Sequence, residues 1–240
     1  MRYAIIADIH SNLEGLEAVL DDIKNRNCDQ IVCLGDVVGY GANPKECLKI
    51  VRDLKIPCVK GNHDDYCSTD EPTEGFNPHA ADAIQWTRKQ LNDDEKKWLR
   101  DLKYIRLVAN FTLVHATLDA PQRWGYVFDK LMAAASFTYQ NTNVCFFGHT
   151  HVPLAFIRDS VVRGGTYSKF RVELDKKYFV NVSSVGQPRD NNPKAGYVIY
   201  DMGEMTIELC RVDYDIKKAQ AKIIAAGLPR RLADRLAIGK

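Results

Sequence analysis

Short apolar runs alternate with amphipathic stretches through the first third of the chain. Tyr3-Ala4-Ile5-Ile6-Ala7 and Ile31-Val32-Cys33-Leu34 are continuous apolar runs bounded by polar residues. Runs of this kind predict strands buried on both faces. Between them Leu13, Leu16, Leu20 and Ile23 recur at three-to-four spacing, which predicts a helix opened by a capping box of Ser11 and Glu14. Asn43-Pro44 predicts a second helix start, with Leu48, Val51 and Leu54 on its apolar face. Pro57 to Lys60 predicts a third short strand. A β-α-β-α-β pattern of continuous apolar strands implies a parallel sheet with right-handed crossovers.

The polar stretch Tyr66 to Phe76 predicts a mobile loop, and Asn77-Pro78 a helix to about Leu91. Asn92 with Glu95 predicts a further helix cap, followed by strands over Tyr104–Ala109 and Phe111–Val114 with Asn110 at the turn. Val127 to Tyr139 predicts a helix and Asn143 to Phe147 a strand. Beyond Val152 the runs Leu154–Ile157, Phe170–Leu174, Tyr178–Val182, Tyr197–Tyr200 and Thr206–Val212 are separated by turn signals such as Gly164-Gly165. They predict an antiparallel or mixed sheet. Asp215 to Ala226 predicts a helix stopped by Gly227 and Pro229, and Arg230 to Ile238 a last short one. With no repeat or linker, residues 1–240 are expected to form a single domain of two packed sheets flanked by helices.

Composition narrows the partners. With 33 basic and 31 acidic residues, the net charge of +2 gives no case for duplex nucleic acid or an acidic membrane. The seven cysteines form no CxxC pair, and Cys33, Cys58, Cys145 and Cys210 sit inside apolar runs. They are expected to be reduced core thiols, which points to a cytoplasmic protein. No stretch is apolar and long enough to span a membrane, and an aspartate at position 8 argues against a signal peptide.

The chemistry gathers at strand ends. Asp8 and His10 follow the first predicted strand, Asp36 the second, Asn62 and His63 the third, His115 a later one, and His149 and His151 another. In open α/β sheets the carboxyl edge of the strands is where ligands bind. Five of the six histidines fall in this set. Nitrogen and oxygen donors without thiolates suit Mn, Fe, Zn, Ni, Co or Mg. The set is too large for one tetrahedral ion but suits two ions, roughly 3.5–4 Å apart, sharing a carboxylate and clamping a phosphoryl group. On an extended backbone, His149 and His151 would point the same way.

Asp8-x-His10, Gly35-Asp36, Gly61-Asn62-His63-Asp64, His115 and Gly148-His149-Thr150-His151 stand in one order along the chain. Together they resemble the five blocks of the calcineurin-like metallophosphoesterase superfamily. The resemblance implies an α/β fold, a four-layer α/β/β/α sandwich of two mixed sheets. It implies one metal on Asp8, His10, Asp36 and His151, and a second on Asp36, Asn62, His115 and His149, with Asp36 bridging and Mn favoured. His63 would stay off the metals, touch phosphate and protonate the leaving group after attack by a metal-bridging hydroxide. Asp36 and His63 are thus the implied catalytic pair.

The implied substrate is a small phosphodiester, nucleotide or dinucleoside polyphosphate. The phrases Asp8–Asn12, Gly35–Gly41 and Ser184–Arg189 resemble small prokaryotic members of the superfamily. A phosphomonoesterase, a Ser/Thr protein phosphatase, or a non-catalytic scaffold on the same fold are the alternatives. The protein phosphatases carry Gly-Asp-x-x-Asp-Arg-Gly, whereas Gly39-Tyr40-Gly41 stands here. That departure argues against phosphoprotein substrates and leaves a backbone or loop group, rather than Asp64 or Asp65, to orient His63.

Five further residues are candidate substrate contacts: Asn12 and Tyr40 beside the ligand positions, Trp124 and Tyr126 as stacking surfaces, and Arg189 as a phosphate donor. His79 and the Arg230-Arg231 pair are expected on solvated helix starts and faces, and Trp86 and Trp98 in the core.

Overall fold

The computed structural model describes residues 1–240. In chain order its strands are β1 (Arg2–Ile6), β2 (Gln30–Cys33), β3 (Ile105–Val108), β4 (Phe111–Val114), β5 (Val144–Phe147), β6 (Leu154–Arg158), β7 (Val162–Thr166), β8 (Lys169–Arg171), β9 (Lys177–Asn181), β10 (Ala195–Asp201) and β11 (Thr206–Val212). Its helices are α1 (Leu13–Asn25), α2 (Pro44–Asp53), α3 (Asn62–Ser68), α4 (Pro78–Gln90), α5 (Asp93–Asp101), α6 (Lys130–Tyr139), α7 (Ile216–Ala225) and α8 (Arg230–Asp234), which runs into a 3₁₀ turn at Arg235–Ile238.

Two mixed sheets form, in the orders β2-β1-β10-β11-β8 and β3-β4-β5-β9-β6-β7. Strand alternation sorts side chains into stacked layers. Ala4 and Ile6 face Leu16, Val19, Leu48 and Val51 of α1 and α2. Tyr3 and Ile5 face Phe111, Phe146 and Tyr178 of the other sheet. On the far side of that sheet Cys145 and Phe147 meet Ala133 and Phe137 of α6. Three buried layers between two sheets and two helical faces make the expected α/β/β/α sandwich. The seven cysteines are free thiols, six of them buried, and no helix is long and apolar enough to cross a membrane.

Several local expectations shift. The cap of α1 is Asn12, whose Oδ1 accepts from the Gly15 amide, not Ser11, which sits at φ 54°. Pro57–Lys60 makes only isolated bridges, Cys33 with Cys58 and Val59 with Lys103. Only β1 and β2 run parallel in the first sheet, because β10 joins β1 antiparallel. The predicted loop at Tyr66 is helical to Ser68, since α3 starts directly at Asn62. The helix expected from Val127 begins at Lys130, after Asp129 caps the Leu131 and Met132 amides. Strand β8 is shorter than predicted and ends at Arg171. Gly164-Gly165 lies inside the edge strand β7 rather than in a turn. At Gly164 a Cβ would sit 2.2 Å from the Phe156 ring, so the apolar partner takes the space a side chain would need. Trp86 and Trp98 are half-buried against core clusters rather than within them.

Candidate metal and phosphate site

The strand-end loops converge at one edge of the two sheets. Asp8, His10, Asp36, His149 and His151 all adopt left-handed backbone conformations, with φ between 48° and 66°. Non-glycine residues visit that region at a cost, and it concentrates at functional sites where the surrounding structure over-determines it. The extended backbone expected at His149-x-His151 is therefore absent. His151 turns towards His10 and Asp8, while His149 turns towards His115 and Asp36.

Backbone carbonyls set the imidazole tautomers. A carbonyl oxygen can only accept, so a ring nitrogen bonded to one must carry the proton. His10 Nδ1 donates to the Val38 carbonyl at 3.2 Å, His115 Nδ1 to Leu34 at 2.8 Å, and His151 Nδ1 to Gln187 at 2.6 Å. In its neutral form each therefore turns an unprotonated Nε2 inward. His149 is reversed: its Nε2 donates to the Trp124 carbonyl at 2.9 Å, leaving Nδ1 as the lone-pair atom.

The inward atoms are acceptors facing acceptors. His10 Nε2 and His151 Nε2 lie 3.0 Å apart, and with both rings neutral and both protons on Nδ1 none is left between them. Asp36 Oδ2 lies 3.5 Å from His10 Nε2 and 3.4 Å from His115 Nε2. Asn62 Oδ1 is 3.2 Å and Asp8 Oδ1 3.9 Å from His115 Nε2. Facing lone pairs repel unless a cation occupies the space between them. Three groups bring their ligand atoms within 4.8 Å of one another: Asp8, His10 and His151; His10, Asp36 and His63; Asp36, His115 and His149. Each such group fits a divalent ion with nitrogen and oxygen ligands.

The proton affinities carry the same signature. Burial pushes His149 down to about 3, and His115 beside it adds to the shift. Burial also drives His10 and His151 well below the ordinary histidine value. At His115 burial acts downward, but the Asp36 and Asp8 carboxylates overcome it and push the group up to about 10. Burial alone would raise Asp36, yet His115 and His63 hold it below the usual carboxylate range.

A second shell of bonds holds these groups in place. Asp64 does not reach His63. Its carboxylate accepts the Asp36, Val37, Val38 and Gly61 amides at 2.8–3.3 Å, clamping the loop that carries Asp36. Asp36 Oδ1 in turn accepts the His63 amide at 2.8 Å. Asp8 accepts the His149 amide at 3.1 Å, and Ser184 Oγ donates to the Asp8 carbonyl. Asp64, Ser184 and Gln187 stand inside the quoted phrases Gly61–Asp64 and Ser184–Arg189, but their roles could not be read there, because the bonds to the Asp36 and Val37 amides, the Asp8 carbonyl and the His151 ring join positions 27 to 176 residues apart.

His63 is oriented by packing. Its ring lies 4.3 Å from Tyr40 and 4.8 Å from His10, and its buried Nδ1 has no partner. A Cβ at Gly39 (φ 92°) would meet that Nδ1 at 2.5 Å. The aspartate that protein phosphatases carry at this point would collide with the ring rather than orient it. Burial lowers His63 to about 4, partly opposed by Asp36.

The histidines open into a cleft of about 380 Å³ whose walls include Tyr40, Phe76, Trp124, Tyr126 and Arg189. Tyr126 stacks on His149 with ring centres 4.3 Å apart and stays half exposed. The Arg189 guanidinium lies 5.7 Å from the Tyr40 ring centre and bonds to Gln187 Oε1. Asn12 stands apart from these candidates. Its Oδ1 caps α1 and its Nδ2 donates to the Gly186 carbonyl, so both polar groups are committed to the fold.

Comparison with known proteins agrees with this architecture. The Calcineurin-like phosphoesterase superfamily domain profile matches residues 1–205. A protein of Methanocaldococcus jannaschii is 43% identical over 99% of this chain and 98% of its own length. The crystal structure of a metallophosphoesterase from Sphaerobacter thermophilus is 38% identical, covers 100% of this chain and 99% of its own, and superposes with a TM-score of 0.89. A hypothetical protein from Pyrococcus horikoshii shares the fold at 17% identity, with a TM-score of 0.81 and coverage of 100% and 98%.

Proposed function

The chain belongs to the calcineurin-like phosphoesterase superfamily, and from that premise we propose that it is a dinuclear metal-dependent phosphoesterase acting on a small phosphate ester or anhydride. The single observation that carries the reading is the 3.0 Å approach of two unprotonated imidazole nitrogens, His10 Nε2 and His151 Nε2, beside buried carboxylates. That arrangement is favourable only around a cation.

In this reading Asp8, His10, Asp36 and His151 would hold one ion and Asp36, Asn62, His115 and His149 the other. Asp36 Oδ2 is suited to sharing because it faces both His10 and His115. The ions, when bound, would supply an activated water and neutralise charge on the phosphoryl oxygens. The carbonyls of Val38, Leu34, Gln187 and Trp124 fix which nitrogen each histidine presents.

His63 faces the cleft and would pass a proton to the leaving oxygen; because burial lowers its affinity to about 4, the negative charge of a bound phosphate would have to draw that proton onto the ring. Arg189 would contact the phosphate, and Tyr40, Trp124 and Tyr126 would wall the substrate. Asn12 is left out of the set because the fold uses both its polar groups. The domain is taken as residues 1–240, since β10 and β11 complete the sheet of β1 and the final helices pack on α1 and beside the cleft.

The test is turnover of p-nitrophenyl phosphate and bis-p-nitrophenyl phosphate with added Mn, alongside elemental analysis. Two ions per chain and metal-dependent hydrolysis are expected. Bound metal with no turnover of either ester under any divalent ion would leave a binding scaffold as the better reading.

A further inference from the structure

The cleft does not end at Arg189. It opens into a second groove of about 530 Å³, with Tyr40, Tyr126 and Arg189 as part of the common wall. The far side comes from α8 and the following 3₁₀ turn, which supply Arg231 and Arg235, with His79 of α4 also on the groove.

Three arginines line this groove, and two of them, Arg189 and Arg231, have no carboxylate partner. The Arg189 guanidinium bonds to the Gln187 side-chain oxygen, lies beside the Tyr40 ring and pairs with no carboxylate. Arg235 donates through Nε to the main-chain oxygen of Lys240, the last residue, and pairs with no side-chain carboxylate. Arg231 is exposed and makes neither an ion pair nor a side-chain hydrogen bond. The one acidic side chain on the groove, that of Asp234, is turned to Arg230 at 3.6 Å. Burial lowers Arg235 to about 10, with Arg189 and Arg231 adding to the shift. In a chain whose net charge is only +2, this is a local concentration of cations, not a general surplus. Their mutual repulsion is relieved by an anion, and a guanidinium fork matches phosphate oxygens in pairs. The groove has the size of a small-molecule site.

We propose that this groove is a second phosphate subsite. The substrate then carries at least two phosphate groups, one over the histidines and one held by Arg231 and Arg235, with Arg189 between them. This rests on the phosphoesterase reading above and narrows it to a phosphoanhydride, or an ester whose leaving group retains a phosphate. Water adds across one P–O bond: its oxygen goes to the phosphorus over the histidines. The leaving oxygen takes a proton and departs with the second phosphate.

The test is calorimetric titration of inorganic pyrophosphate and inorganic phosphate into the full chain after chelation and dialysis. Pyrophosphate is expected to bind about tenfold more tightly than phosphate, and Arg231→Glu to remove that advantage. Arg231 is exposed and bonded to nothing, so this variant should keep its fold, checked by its melting temperature. Arg235→Gln is the second variant and should give the same loss. Equal affinity for the two anions, or an advantage that survives both substitutions, overturns the subsite. Pyrophosphate preference in a chain that hydrolyses neither the chromogenic esters nor pyrophosphate itself with any divalent ion would sink the enzyme reading while supporting the subsite.

Discussion

The pit of ligand residues and the groove beside it are built on opposite terms. In the pit the side chains are buried and their positions are dictated by backbone: carbonyls fix four imidazoles, and amides fix Asp8, Asp36 and Asp64. In the groove Arg231 is free, Arg189 is tied to one side-chain oxygen, and Tyr126 is half exposed. The contrast separates two jobs. Groups that must hold ions in one geometry are pre-organised before any ligand arrives, while groups that select a substrate keep unpaired charge and open ring faces.

The largest blow to the pit is Asp36→Asn. Replacing the carboxylate that faces both His10 and His115 should lower turnover at least ~10³-fold and remove metal, read by elemental analysis of the purified variant. His63→Ala should cost about 10²–10⁴-fold in kcat while both ions stay bound. Metal lost from that variant would instead make His63 a ligand, as its grouping with His10 and Asp36 allows.

Asp64→Asn sharpens the contrast from the stability side. One amide oxygen cannot serve all four amides, so buried donors are stranded and stability should fall by about 2–4 kcal/mol in denaturant melts. A variant of full stability that loses all turnover would give Asp64 a chemical rather than a clamping role. The smallest effect belongs to the cleft wall. Tyr126→Ala should move stability by no more than about 0.5 kcal/mol while raising KM several-fold. A melt shifted as far as that of Asp64→Asn would erase the distinction between pit and wall.

Much of the fold was legible because it rests on local periodicity. The strand runs, the Asn77 and Asn92 caps and the Asp215 start all lie within a few residues of the groups they serve. Where a neighbour in space decided the outcome, local reading failed. Ser11 lost the cap of α1 to Asn12 through a left-handed turn packed under the site. Gly164 reads as a turn residue, yet its lack of a side chain answers to the Phe156 ring on the next strand. Asn12 reads as a site residue by position, but its bond to Gly186 spans 174 residues.

By itself the sequence determined which chemical groups stand at which strand ends, since apolar runs and the polar residues that follow them are contiguous in the chain. The resemblance implied how those groups divide, but only the tertiary structure shows what turns them apart. His149 and His151 part company because left-handed backbone turns them to different neighbours and different carbonyls choose their tautomers. The groove likewise exists only once α8 docks beside Arg189, some forty residues away in the chain. Periodicity is a property of neighbours along the chain. A lone pair aimed at another lone pair depends on how two sheets and their loops pack, and no short stretch of sequence encodes that.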